Sequence, residues 1–187
     1  DTKALAPTEA IIIGPTFDFV ETDTGNLPDI PDIPLVTTKE YKQSDFNITM
    51  TNNVLPEDDG TNVEKIVQSG SYNSLFNGTN GREFEFKYYI PSQNNVLPDE
   101  VKLPTTMHFA FKQAKPLTEV NIYNPGPSTS NGYVTELNAV VTFEDNSTKE
   151  FNFTEGMNVF KLVIDSDKKV KNVDITPIKS IDRKSVV

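Results

Sequence analysis

Between Leu117 and Phe153, apolar side chains recur at every second position in three successive runs, and two polar loops separate the runs. Val120 and Ile122 alternate in the first run. Tyr133, then Leu137, Ala139, Val141 and Phe143, keep the same period in the second, and Phe151 and Phe153 do so in the third. Successive side chains of an extended chain point to opposite faces, so period two marks a strand with one face buried. The first loop, Asn124 to Gly132, is dense in Pro, Gly, Ser and Asn. The second, Glu144 to Lys149, reads as a polar hairpin turn. Strands with one apolar face need a second layer to cover it, and the rest of the chain has to supply that layer.

The same period recurs elsewhere. Phe46, Ile48 and Met50 alternate within Lys39 to Met50, the expected first strand of the sandwich. Phe84, Phe86, Tyr88 and Ile90 mark another strand. Met107, Phe109 and Phe111 share a face expected to point inward, with His108 and Ala110 on the other. Two closing strands, Val159 to Ile164 and Val170 to Ile175, flank the turn Asp165 to Lys169. Val63, Ile66 and Val67 have helical spacing, so Asn62 to Val67 is expected as a short helical turn plugging one end. Pro91 to Thr106 reads as a long loop. The expected fold is all-β, an antiparallel jelly-roll β-sandwich with one short helical turn, over residues 39–181. Residues 182–187 read as a tail. Residues 1–38 end in a Pro-rich stretch and have two readings. They are a linker, or an arm in which Ala10 to Gly14 and Phe17 to Val20 pair as strands with this domain or a neighbour. The start at Asp1 reads as a mature or excised fragment.

Composition narrows the function. A formal charge of −10 argues against a nucleic-acid backbone as partner, because phosphate binding needs a basic patch. Without cysteine there is no disulfide framework and no thiolate ligand or nucleophile. A nucleophilic triad has only His108 available as its base. No apolar run reaches the roughly 18 residues of a membrane helix, so membrane insertion is not expected. The acidic residues of the run Glu57 to Gly60 read as a solvated loop, because calcium needs convergent oxygens.

The order of these features resembles the discoidin-like, coagulation-factor C-type domains and the bacterial carbohydrate-binding modules of the same galactose-binding-like fold. Leu75-Phe76-Asn77-Gly78-Thr79-Asn80 is similar to that family's Asp-Gly-Asn loop. Ile122-Tyr123-Asn124-Pro125, with Asn131-Gly132, is similar to its sugar-binding strand, loop and Asn-Gly step. The resemblance implies a non-catalytic, lectin-like domain of a secreted or surface bacterial protein. It would tether neighbouring domains to a glycan of galactose or mucin type. Asn131 falls on the family's Asn, whereas the family's Arg falls on Gly126 and its His near Glu85. The resemblance also implies a structural calcium at Asn77 and Asn80, with Asn77 standing where the family has Asp.

On this reading Tyr72, Asn73, Tyr123, Asn124, Asn131 and Tyr133 form the ligand-binding set. A ring stacks on sugar C–H groups, and fixed amides select hydroxyls. The competing reading keeps the amides for turn geometry and the rings for capping the core. It makes the chain a structural or protein-interaction sandwich without a working sugar site.

Overall fold

The computed structural model describes residues 8–13, 16–27, 30–51, 54–61, 63, 65–76, 85–90, 100–102, 105–124 and 133–181. The strands in the first half are β1 Thr8–Ile13, β2 Thr16–Leu27, β3 Ile30–Tyr41, β4 Phe46–Met50, β5 Val54–Leu55, β6 Lys65–Ser69 and β7 Glu85–Ile90. Those in the second half are β8 Glu100–Lys102, β9 Met107–Lys115, β10 Glu119–Tyr123, β11 Tyr133–Phe143, β12 Thr148–Phe153, β13 Val159–Val163 and β14 Val170–Ile181. Single 3-10 turns occupy Gln43–Asp45 and Tyr72–Phe76. None of the described helices is long and apolar enough to cross a membrane.

One sheet runs β12-β11-β14-β9-β4, with β8 also paired to β14. A second runs β13-β10-β2-β3, and a smaller third runs β1-β7-β6-β5. Among the described residues all pairings are antiparallel except β5 with β6. The first two sheets stack face to face, as a sandwich requires. Their inner faces meet through Phe17 and Phe109 at 5.0 Å between ring centroids, Phe19 and Phe46 at 4.7 Å, and Tyr41 and Phe111 at 5.1 Å. Met107 and Phe109 are fully buried and Phe111 nearly so, as period two predicts. Leu137, Ala139 and Val141 of β11 are likewise sealed from solvent. The β11–β12 hairpin closes at the expected turn. Asp145 accepts from the Ser147 N–H at 3.0 Å, and Asn146 takes φ 67°, a left-handed conformation that asparagine tolerates well.

Three expectations change. Lys65–Ser69 is a strand, not a helical turn, because it pairs with β5 on one side and β7 on the other. Its consecutive buried residues Lys65, Ile66 and Val67 satisfy a covered strand, while Val63 lies outside it, 54% exposed. The helical turns of the fold sit instead at Gln43–Asp45 and Tyr72–Phe76. The linker reading of the N-terminal stretch is corrected as well. β2 lies inside the second sheet between β10 and β3, and its Phe17 and Phe19 belong to the core. The expected long loop of residues 91–106 contains β8.

The acidic loop before β6 is held from within. Lys65, its side chain 4% exposed, points its ammonium at the Asp58 carboxylate. It also reaches Asp59 Oδ1 at 3.0 Å and the Thr61 carbonyl at 2.9 Å. Three oxygens therefore converge on a lysine of the chain itself.

Candidate functional site

Two places carry the expected site residues. The first is the sandwich rim where β10 ends and β11 begins. Asn124 is 3% exposed there. Its amide nitrogen donates to the Val134 carbonyl at 2.8 Å and to the Met157 carbonyl at 3.1 Å, and its Oδ1 accepts from the Val134 N–H at 3.0 Å. Both amide protons and one carbonyl lone pair are thereby engaged inside the protein. Asn124 is a staple between β10, β11 and the approach to β13. Tyr133 is buried, its ring laid on Gly156, where an added Cβ would overlap Tyr133 Cε1. Tyr123 is half-buried, and its hydroxyl donates to the Asp18 carboxylate. That bond, then burial and the negative charges of Asp18, Glu40 and Glu119, push its pKa up to about 12. The rim thus holds two tyrosines and an asparagine with their polar groups or faces turned to the protein. Asn131, Asn77 and Asn80 lie outside the described residues.

The second place is a cleft of about 550 Å³ along β4. Sites for small ligands typically enclose about 300–1,000 Å³. β4 ends the order of its sheet, so its outer edge has no partner strand among the described residues. Phe46, Asn47, Ile48 and Thr49 all line the cleft. Consecutive residues of a strand point to opposite faces, so the cleft wraps the strand edge. Phe46 is its floor, 4% exposed and packed 4.3 Å from Phe111 and 5.7 Å from Phe76, ring centre to ring centre. Gln43 and Ser44 come from the 3-10 turn ahead of β4. Asp45 fixes that turn, since its carboxylate accepts from the Lys42 N–H at 2.9 Å and its own N–H donates to the Lys42 carbonyl at 2.9 Å. Tyr72 comes from the other turn, which Leu75 and Phe76 anchor in the core. Burial pushes the Tyr72 hydroxyl pKa up. Lys112 reaches the cleft from β9, on the outward face opposite Phe111.

Of the expected ligand-binding residues, the structure therefore places Tyr72 in the cleft, with Asn73 exposed beside it. Tyr123, Asn124 and Tyr133 stand together at the rim and do not line the cleft. Sequence reasoning missed Gln43, Ser44, Asn47, Thr49 and Lys112. Period two does place Asn47, Thr49 and Lys112 on outward faces, but nothing in the pattern marks β4 as an edge strand.

His108 also has partners. Its Nδ1 lies 2.5 Å from Asp174 Oδ1, and its Nε2 is hydrogen-bonded to the Thr51 hydroxyl. Carboxylate, imidazole and hydroxyl follow the order of a nucleophilic triad. Here they tie β14, β9 and the end of β4 across the outer face of the sheet, and the Thr51 N–H adds a bond to the Thr106 carbonyl at 2.9 Å. Among the described residues no group of three or more His, Asp or Glu side chains could hold a metal ion.

No family model and no curated protein matches the chain. Among solved structures it is similar to GH31 CBM32-2 bound to GalNAc, at 19% identity and a TM-score of 0.47, over 73% of this chain and 89% of that one. It is similar to a fucose binding module of Streptococcus pneumoniae at 10% identity and a TM-score of 0.39, over 68% of this chain and 99% of that one. It is similar to a mutant lectin binding domain of lectinolysin complexed with Lewis b at 14% identity and a TM-score of 0.33, covering 42% of this chain. The chain spans 61% of that domain's length.

Proposed function

We propose that the chain is a non-catalytic glycan-binding module and that the β4 cleft holds the sugar. One observation carries the reading. An aromatic ring, Tyr72, shares an open cleft with amide and hydroxyl side chains, Gln43, Ser44, Asn47 and Thr49. A ring covers the apolar face of a sugar while fixed polar groups select its hydroxyls. None of the described lining residues is acidic, so among them there is no carboxylate pair of the kind glycoside hydrolysis uses. The order of sequence motifs supports a glycan-binding module, while the place of the sugar along β4 rests on the cleft alone. Attachment to a secreted or surface protein belongs to the proposal, with affinity gained from repeated copies rather than from one site. A structural calcium near Asn77 and Asn80 belongs to it too, and a thermal melt with and without chelator tests that part: no change in Tm removes it.

Calorimetric titration with galactose-, GalNAc- and fucose-containing sugars tests the main reading. Tyr72→Ala is expected to weaken binding about tenfold, near 1.4 kcal/mol, while the protein stays folded. A folded wild-type protein that binds none of these sugars overturns it. A second reading, a protein-interaction sandwich, is favoured by the rim, where Asn124 and Tyr133 serve the fold. It predicts capture of a protein partner with no sugar competition.

A further inference from the structure

The cleft differs in charge from the chain around it. The chain carries 27 acidic and 17 basic side chains. Several described lysines are neutralised by carboxylates: Lys161 by Glu119 at 3.2 Å, Lys168 by Asp145 at 2.8 Å and Lys179 by Glu136 at 3.3 Å. Lys112 has no carboxylate within ion-pair reach among the described residues, and it stands at the cleft wall. Asp45, between the lining residues Ser44 and Phe46, is not itself in the lining, and its carboxylate accepts from the Lys42 N–H. The described lining therefore has one cation and no anion, set among neutral hydrogen-bonding groups, Ile48 and two rings, Phe46 and Tyr72.

We infer that the β4 cleft takes an anionic sugar, a glycan bearing a carboxylate or a sulfate ester, with the Lys112 ammonium meeting the negative group. The inference rests on the glycan-binding reading of the same cleft. An ammonium–anion hydrogen bond is roughly twice as strong as a neutral one. A chain of charge −10 repels anions at long range, but that repulsion is screened beyond about 8 Å at physiological salt. Preference for the anion therefore comes from contact with Lys112, and the chain's overall charge works against it. Tyr72 covers the ring of the sugar, and Gln43 and Asn47 take its hydroxyls.

The test uses the folded chain and three matched probes: lactose, sialyllactose and sulfated lactose. The acidic probes are expected to bind about tenfold more tightly than lactose, and the advantage shrinks as salt rises. Lys112→Gln, an exposed position, is expected to keep the melting temperature while removing the advantage of the acidic probes over lactose. Preference for the carboxylate or for the sulfate probe identifies the source of the anion, and either supports the inference. Equal affinity for all three probes overturns it while leaving a neutral glycan site standing. So does a preference that survives in Lys112→Gln, or inorganic sulfate competing as well as the sulfated sugar. Binding of none of the three by a folded protein overturns the glycan reading along with it.

Discussion

The rim and the β4 cleft look alike in composition and behave in opposite ways. Both present tyrosine, asparagine and hydroxyl side chains. At the rim these groups face inward: Asn124 binds Val134 and Met157, Tyr133 lies on Gly156, and Tyr123 holds Asp18. Along β4 the Asn47 and Thr49 side chains line open space instead, on a strand that stands at a sheet edge with no outer partner strand among the described residues. Residue type alone does not tell a staple from a ligand contact. What distinguishes them is whether the backbone nearby leaves polar groups that need partners.

Asn124→Ala should break the comparison most sharply if it is wrong. Truncation leaves the Val134 N–H and two carbonyls short of partners in a buried place, so unfolding by denaturant should show a loss of about 3 kcal/mol. Sugar affinity per folded molecule should not change. Lost binding with stability intact would move the site to the rim. Tyr72→Ala is the opposite case, with a smaller effect on stability and its main effect on affinity. The smallest expected effect is on acid stability. Hydrogen bonds hold three carboxyls below the usual carboxylate range: Lys65 for Asp58, Thr61 for Asp59, and Lys168 for Asp145. Lowered folded-state values mean their contribution is complete above the ordinary value of about 4, and is lost as pH falls through the lowered ones. Melting between pH 5 and pH 2 should therefore show a modest fall in Tm. The fall should be weaker in Lys65→Met, where Asp58 loses its main partner; an unchanged fall would deny the Lys65 contact that role. The cleft lining has no carboxylate among the described residues, so affinity for a neutral sugar such as lactose should follow this fall only through unfolding.

Most of the sandwich was legible because alternation is a direct imprint of a one-faced strand. β4, β9, β11 and the β11–β12 turn stand where Phe46, Phe109, Leu137 and Asn146 place them. Lys65–Ser69 was not legible, since a short apolar run covered on both sides carries no period of its own. The strand at Phe17 to Val20 was legible as one of two readings, because the proline-rich stretch that follows it also reads as a linker. Of the candidate site, Tyr72 was legible as an aromatic beside a loop, but its companions Gln43, Asn47 and Lys112 were not, because they come from separate elements.

From its own residues the chain determined that it builds one-faced strands in layers: its apolar side chains fall on one face of each strand, and with period two recurring along the chain the covering layer is a second sheet. The tertiary structure alone decided which strand stands at an edge and which polar groups are already engaged. Neighbours across a sheet are set by hydrogen bonds between distant segments, and local side-chain periodicity carries no record of that pairing order.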